Sequence, residues 1–348
     1  MNYIGTDIHI STLDFKVVGN LGKVKMAREV TTSAPNFLDF IKSVPAPRQV
    51  IIEEGPLAAW LLEICVKNGE HLIISDPKRN KWIGASGEKE DPIDAEKLAQ
   101  LARGGYIKEI HHPLGQRRRF RELITAYHDT NKSIVRIKNK IKAKFLQNGI
   151  QCPGKTVYSS KQRAEWRQKL PQEPALLVII DSLWQQLDQI QDNLESILAE
   201  AKLEANRYPE IELIDEIPGI GFIIAATIVA ILENPHRFAN KRKVWAYAGL
   251  GIVRKSSANK TYAEKLGKEF NRMLKCVVEE AAQAAINTET DNAFRRSYAR
   301  MTIQKGIDPH HAMLTVSRDI IATVWAMWKK GEHYNPAIDR QVKTEVEV

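Results

Sequence analysis

The sequence predicts an α/β domain followed by a mostly helical remainder. Two changes of pattern along its 348 residues lead to this prediction. Up to residue 112, short apolar runs alternate with turn residues and short helical stretches. From residue 113 onward, apolar residues recur at helical spacing, first in long stretches and then, after residue 207, in a third, mostly helical region. We therefore expect three domains, at 1–112, 113–207 and 208–348.

The first domain is predicted to have the element order of the ribonuclease H fold. Three strands come first, the last two joined by a turn at Asn20-Leu21-Gly22, and helices and strands then alternate. The predicted strands cover residues 3–10, 13–18, 23–30, 49–54 and 71–75, and the predicted helices cover residues 36–43, 57–67 and 93–102. In that fold, neighbouring strands present acidic residues at their ends.

The composition indicates a polyanionic partner. The formal net charge is +9 and the isoelectric point is about 9.3, which is unusual for an enzyme that acts on small metabolites. Such an excess of Lys and Arg gains binding affinity from phosphate groups.

Cysteine usage and hydropathy predict a cytoplasmic protein. Cys65, Cys152 and Cys276 lack the spacing of a metal site, and this odd, sparse set favours a reducing compartment. We expect Cys65 and Cys276 to be core thiols. No apolar run reaches the roughly 18 residues of a membrane span, and the N-terminus starts directly with a strand. We therefore expect neither a membrane span nor a signal peptide.

Four carboxylates are the candidate metal ligands. Asp7 lies in an apolar strand, Glu53 ends another, and Asp91 and Asp94 open a helix. Strand ends and a helix start can converge in an α/β fold, and converging carboxylates cannot all stay charged unaided. Two Mg²⁺ ions would neutralise them, and paired hard cations are suited to phosphodiester chemistry.

Other interpretations of these acids stay open at this point. Because Pro92 follows it, Asp91 is also a natural helix N-cap, and Asp94 could complete the cap. Glu53 and Glu54 point to opposite faces of a strand, so only one of them can face the other acids.

The second region is basic and heptad-patterned. Between Arg117 and Lys144, ten Lys and Arg residues face only two acids. This lopsided charge favours nucleic-acid contact, although a solvated helix face would also carry such residues. A heptad seam follows, which predicts an antiparallel coiled-coil hairpin or a dimer contact. Its residues are Leu176, Ile180, Leu183, Leu187, Ile190, Leu194, Ile197 and Ala201.

The third region contains two further candidates. The segment Ile217-Pro218-Gly219-Ile220-Gly221 resembles a helix–hairpin–helix element, in which backbone N–H groups approach a phosphate, or else it is a plain tight turn. Ser256 and Ser257 are predicted to lie in a polar, basic loop. Since no nearby His–Asp pair and no GxSxG motif is present, the pattern alone does not make either serine a nucleophile.

An ordered set of motifs resembles a known family. IGTDIH, IIEEGP and EDPIDAEKLAQLA are followed by IPGIG, KRKVWAYAGLG, KLGKEFNRML and finally HHAMLTVSRDIIATVWAMWKKGEHYNP. This set resembles the DEDD transposases of the insertion-sequence 110 type, relatives of the Piv DNA invertases. The resemblance spans nearly the whole chain and implies an N-terminal RuvC-like domain.

The resemblance also implies roles for individual residues. Asp7, Glu53, Asp91 and Asp94 match the four family acids, which hold Mg²⁺. Ser257 matches the family's nucleophilic serine when the chain is aligned on Gly249-Leu250. Here Ala258 stands where the family has a glycine after the serine, and this departure leaves Ser256 as the alternative.

The activity implied is site-specific DNA recombination through a serine nucleophile. Double-stranded target and donor DNA, a structured guide RNA (the bridge RNA) and a homo-oligomer, dimer or tetramer, are the implied partners. The candidate nucleic-acid contacts are Arg117, Arg118, Arg119, Arg121, Lys138, Lys142, Gly219, Gly221, Arg254, Lys255 and Lys260. Two alternatives remain: a RuvC-like junction resolvase that uses water, and a non-catalytic nucleic-acid-binding protein.

Overall fold

The computed structural model describes residues 1–77, 91–257 and 260–336, and the side chains of 91–93, 254–257 and 260–264 lie outside this description. The chain divides into two compact units, residues 1–118 and residues 119–348. The three predicted domains stay a prediction.

The first unit is built on a five-stranded mixed sheet. Its strands are β1 (Asn2–Ile8), β2 (Thr12–Gly19), β3 (Val24–Thr31), β4 (Arg48–Glu53) and β5 (Leu72–Ser75), in the spatial order β3-β2-β1-β4-β5. The pairs β1–β2 and β2–β3 are antiparallel, whereas β1–β4 and β4–β5 are parallel. This mixed α/β unit is consistent with a ribonuclease H-like domain, as predicted.

Helices cover the sheet because the strands carry apolar residues on both faces. One core joins the sheet to α1 (Ala34–Ser43) and α2 (Ala58–Lys67), and Phe15 stacks on Phe40 within it, with ring centroids 4.1 Å apart. Ser33 caps α1 by accepting a hydrogen bond from the Asn36 backbone N–H at 3.2 Å. The third helix, α3 (Asp91–Arg103), packs on β1, β2 and β4.

Two long helices open the second unit and pack antiparallel. The first, α4 (Gly115–Gln147), buries Ile134, Ile137, Ile141 and Phe145. The short helix α5 (Arg163–Gln168) follows, and α6 (Pro174–Ala205) then places Ile180, Leu183 and Leu187 in the same core. Several seam residues of the predicted heptad therefore pack against α4 of the same chain.

A helical core occupies the rest of the second unit. It consists of α7 (Glu210–Asp215), α8 (Phe222–Leu232), α9 (Lys241–Tyr247), α10 (Arg272–Asn287), α11 (Ala293–Ala299) and α12 (Pro309–Lys330). Residues 225–232 of α8 are all buried, as expected of a helix that is apolar on every side. A π-helical turn, Arg300–Gln304, follows α11. Among the described residues, no helix is both long and apolar enough to cross a membrane.

Two local predictions were wrong. Ser256 and Ser257 do not lie in a loop, because they end the strand β6 (Ile252–Ser257), which pairs antiparallel with β7 (Lys260–Leu266). Cys276 is exposed, since α10 turns Leu274, Val277 and Val278 into the core instead, whereas Cys65 is buried as expected.

Candidate active site

Two of the predicted acids occupy equivalent positions on adjacent parallel strands. Thr6 of β1 is in register with Ile52 of β4, so Asp7 and Glu53 are the next residues along each strand. Thr6 and Ile52 are both fully buried. Because successive side chains alternate between the faces of a sheet, Asp7 and Glu53 lie together on the opposite face.

That opposite face is the one that α3 covers. Gly5, two residues before Asp7, lies so close to α3 that a Cβ atom there would stand 1.9 Å from the carbonyl oxygen of Ala95. At the other end of α3, the Gln100 side chain donates to the Gly22 carbonyl oxygen at 2.7 Å. Gly22 follows the end of β2 that pairs with the start of β1, so α3 runs antiparallel to β1.

This direction brings the acidic start of α3 to the end of β1. Asp91 is the first residue of the helix, and Asp94 directly precedes Ala95. The Asp94 side chain is about half exposed, and its Oδ1 lies 3.5 Å from the Lys97 Nζ. No three His, Cys, Asp or Glu side chains of the described residues form a group that could hold a metal ion. The convergence of all four acids therefore stays a prediction, since the Asp91 side chain lies outside the description.

The local partners of Asp7 keep it ordered at the end of its strand. Its Oδ1 accepts a hydrogen bond from the Ile8 backbone N–H at 2.9 Å, and its Oδ2 lies 3.1 Å from the His9 Nε2. Directly across the antiparallel pair stands Asp14, which is 9% exposed. Like charges placed opposite each other across strands repel, so this pairing is a feature that the surroundings of both residues have to offset.

The donor set fits a magnesium site. The predicted ligands are all carboxylate oxygens, the hard donors that Mg²⁺ prefers.

Glu54 has a partner of its own. Its Oε2 contacts the His112 Nε2, and the His112 side chain is 16% exposed. The register that aligns Asp7 with Glu53 leaves Glu54 one residue further along. This geometry favours Glu53 over Glu54 as the acid that shares a face with Asp7.

Sequence reasoning missed three residues around these acids. His9 and His112 were not among the candidate site residues, yet each contacts an acid of this region. Asp14 was not singled out, although it pairs with Asp7. The spacing of His9, two residues after Asp7 in the strand predicted over residues 3–10, was a usable signal, because residues two apart in a strand share a face.

The predicted nucleophile lies in the second unit, at the end of a short hairpin. Ser257 pairs with Lys260 and Ser256 with Thr261, and the register of the hairpin shifts between Lys255 and Ser256. Such irregularities are over-represented next to active sites.

Comparisons with known proteins agree with this layout. Residues 4–148 match a family model of IS110-type DEDD proteins described as "Transposase", and residues 211–299 match the "Transposase IS116/IS110/IS902 family". The chain belongs to the IS110-type DEDD transposases. The resemblance inferred from the motifs is thereby confirmed, and the two matches include the four acids and both serines.

One relative of this transposase matches nearly the whole chain, and two others match about half of it. The transposase for insertion sequence element IS1111A of Coxiella burnetii is 19% identical over 333 residues, which is 95% of this chain and 90% of that protein. An uncharacterized 43.6 kDa protein of insertion element IS110 from Streptomyces coelicolor is 26% identical over 165 residues, 47% of this chain and 40% of that protein. A similar protein of IS116 from Streptomyces clavuligerus is 23% identical over 168 residues, 48% of this chain and 41% of that protein.

Several predicted nucleic-acid contacts of the transposase have partners within the protein. Arg118 pairs with Glu63 at 3.0 Å, and Arg121 pairs with the nearly buried Glu233 at 3.4 Å. The amines of Lys138 and Lys142 lie 5.4 Å and 5.8 Å from the ring centroid of Tyr158. Arg119 is exposed, Arg117 is half-buried, and the side chains of Arg254, Lys255 and Lys260 lie outside the description. Their roles stay predictions.

The two glycines of the predicted hairpin element differ in their surroundings. Gly219 has a φ of +88°, and a Cβ atom there would stand 2.3 Å from the Ala281 carbonyl oxygen of α10. Close packing against α10 is therefore a sufficient reason for glycine at this position. Gly221 precedes α8, and a Cβ atom there would meet nothing within 4 Å. A phosphate contact at either residue stays a prediction.

Proposed function

We propose that this transposase cuts and rejoins DNA strands with Ser257 as the nucleophile and Asp7, Glu53, Asp91 and Asp94 as ligands of Mg²⁺. The proposal rests on the placement of Asp7 and Glu53 at equivalent positions of adjacent strands, on the face of the sheet that α3 covers. The acidic first turn of α3 is directed toward the same end of β1. Mg²⁺ bound there supplies Lewis-acid stabilisation of the negative charge that develops on the reacting oxygens.

Ser257 and the carboxylates have different roles in the proposed reaction. The Ser257 Oγ attacks the phosphorus of a DNA phosphodiester and loses its proton. The bond from phosphorus to the departing strand's oxygen breaks, and that oxygen takes up a proton. A serine–phosphate ester remains and preserves the energy of the broken bond until a hydroxyl of the new strand reverses the step. The carboxylates position the metal, while His9 fixes the orientation of Asp7 through its 3.1 Å contact.

The two parts of this site belong to different compact units. The acids lie in residues 1–118 and the serine in residues 119–348. The reaction therefore requires that the units, of one chain or of two protomers, assemble around one strand. We propose that a homo-oligomer and a structured guide RNA control this assembly, with target and donor DNA as substrates. Base pairing by the RNA would then determine the sequence, and the protein would contact backbones.

Trapping of a covalent intermediate tests the nucleophile. A donor plasmid carrying the mobile element with its flanks is incubated with Mg²⁺ and with protein purified without nuclease treatment, which retains any bound RNA, and protein–DNA adducts are separated under denaturing conditions. Wild type and Ser256→Ala are expected to form the adduct, and Ser257→Ala is expected to form none. If Ser257→Ala cuts the plasmid as wild type does, water is the nucleophile and the enzyme acts as a junction resolvase.

Sequencing of co-purifying RNA tests the guide. The protein is purified without nuclease treatment, and we expect one structured RNA to predominate. Random fragments alone would contradict the guided form of the proposal while leaving the serine chemistry intact.

A further inference from the structure

The second unit contains a groove that the proposed chemistry leaves unused. Its volume is about 670 Å³, and residues of α9, α11, the π-helical turn, α12 and the segment after α12 line it. This volume is in the range of ligand-binding clefts. None of the predicted catalytic or nucleic-acid-binding residues is among the described residues that line it.

Two tryptophan rings whose indole N–H groups are hydrogen-bonded to backbone carbonyls form part of the groove. The Trp245 indole N–H donates to the Arg318 carbonyl oxygen at 2.9 Å, and the Trp325 indole N–H donates to the Pro235 carbonyl oxygen at 2.9 Å. Both rings are half-buried. Because these N–H groups are satisfied inside the protein, the rings offer the groove their apolar surface in a fixed orientation.

The segment after α12 adds a third ring, and it is held in place by one carboxylate. The Tyr334 backbone N–H donates to the Glu216 Oε2 at 3.0 Å, and the His333 Nδ1 contacts the Glu216 Oε1 at 2.6 Å. The Tyr334 ring is nearly parallel to that of Phe294, with centroids 6.4 Å apart. Tyr334 is therefore an ordered part of the groove.

Positive charge predominates at the groove. Four cationic side chains line it, Lys241, Arg296, Arg300 and Lys330, against the acids Asp319 and Glu332. Two of these cations have acidic partners, since Arg296 pairs with Asp291 and Lys330 lies 3.4 Å from Glu332. The Lys330–Glu332 pair is more than half exposed on both sides, and such pairs are weak.

The other two cations are placed beside structural features that suit binding. The Lys241 amine lies 5.5 Å from the centroid of the Trp245 ring. Arg300 is exposed and begins the π-helical turn, a rare geometry that recurs at functional sites.

We propose that this groove binds single-stranded nucleic acid, with an unpaired base against the aromatic rings and its phosphates beside Arg300 and Lys330. Stacking rings together with exposed cations are the elements of single-strand binding, and every base has a face that can stack. Bases within a duplex are already stacked on one another, so the half-buried rings select an unpaired nucleotide. The inference rests on nucleic acid being the partner in the proposed function, but it does not require strand cleavage.

Direct binding to short probes tests the groove. Fluorescence anisotropy is measured with oligothymidylate DNA and oligouridylate RNA of about eight nucleotides, and with a DNA duplex of that length. Arg300→Gln/Lys330→Gln and Tyr334→Ala are each expected to weaken single-strand binding by about tenfold and to leave duplex binding unchanged. The exposed Lys202 of α6 provides the control, and Lys202→Gln is expected to bind all probes as wild type does.

The two single-stranded probes distinguish the sources of the ligand. Loss mainly with oligouridylate identifies an RNA segment, and loss mainly with oligothymidylate identifies a DNA strand. Unchanged single-strand binding, or an equal loss with the duplex, would overturn the proposal.

A second measurement on the wild-type chain does not depend on folding of the variants. Photocrosslinking to 5-iodouracil-substituted oligothymidylate is expected to label peptides that contain Trp245, Trp325 or Tyr334, and labelling elsewhere only would also overturn it. Strand cleavage by the variants is not part of either readout, so a negative result leaves the proposed chemistry standing.

Discussion

Glu53 and Glu54 are neighbours in the chain but have different chemical surroundings. Glu53 stands level with Asp7 on the adjacent strand, whereas Glu54 contacts His112. Asp7 in turn faces Asp14 across the antiparallel pair. Substitutions at Glu53 and Glu54 can therefore distinguish the proposed metal ligand from its neighbour in the chain.

We predict that Glu53→Gln abolishes cleavage and that Glu54→Gln does not. The amide of glutamine keeps the shape of the side chain but loses the charge, so the loss at Glu53 should lower the cleavage rate by about 100-fold or more. The rate is measured on the donor plasmid at saturating Mg²⁺, and thermal unfolding shows that both variants are folded. Equal losses in the two variants would contradict the assignment of Glu53.

At the scale of elements, the docking of α3 on β1 decides whether the acids can meet. Gly5 allows this docking, because a Cβ atom there would overlap the backbone of Ala95. The helix carries Asp91 and Asp94, so any displacement of α3 moves them relative to the strand end.

We predict that Gly5→Ala destabilises the first unit and lowers cleavage although every acid is retained. The overlap with Ala95 should cost about 1–3 kcal/mol of unfolding free energy, the range for overpacked cores. Gly55 is the matched control, since a Cβ atom at this position meets nothing within 4 Å. Denaturant unfolding is the measurement, and Gly55→Ala is expected to match wild type. A Gly5→Ala protein as stable as wild type would contradict close docking of α3.

A contact between α4 and α8 predicts a pH dependence of stability. The His128 Nε2 lies 2.8 Å from the Thr227 Oγ1, and that hydroxyl donates to the Ile223 carbonyl oxygen at 2.6 Å. The Thr227 oxygen therefore accepts from the His128 Nε2–H. Burial first, and then the positive charge of Lys132, lower the pKa of His128 below its ordinary value of 6.5, against the opposing effect of Asp129.

We predict that wild type loses stability relative to His128→Gln as the pH falls below about 6.5. Because the folded-state pKa is lower than the unfolded one, the unfolded chain takes up the proton first, and the contribution is complete only above the unfolded pKa. Melting temperatures of the two proteins are compared between about pH 7.5 and pH 5. His310→Gln, at an exposed position, serves as the control. Parallel pH profiles of wild type and His128→Gln would contradict the prediction.

Much of the first unit could be predicted from sequence because its patterns are local. Alternating apolar residues and turn residues gave all five strands to within two residues at each end. The β6–β7 hairpin was missed because its strands are polar, and polar strands resemble loops. The contact of His112 with Glu54 depends on how the unit folds, so residue spacing alone could not rank His112 above other histidines.

At the scale of the whole molecule, the division into two units separates the acids from the serine. Residues 1–118 contain Asp7 and Glu53, and residues 119–348 contain Ser257. Under the proposed function, neither unit alone contains all the catalytic residues. The net charge of +9 is carried almost entirely by residues 119–348, so the attraction to a nucleic-acid backbone acts mainly on the second unit.

The salt dependence of DNA binding should report which basic residues contact that backbone. On α4, Arg118 and Arg121 have acidic partners, whereas Arg136 and Lys140 are exposed and stand one helical turn apart. If each of the two contacts a phosphate, Arg136→Gln/Lys140→Gln should reduce the slope of log affinity against log salt by about 1.8, because each contact contributes about 0.9. Binding to a DNA duplex is measured by anisotropy over a range of NaCl concentrations, with Lys202→Gln as the control. A slope equal to that of wild type would exclude this face of α4 from the DNA interface, and the excess charge would then have to act elsewhere on the molecule.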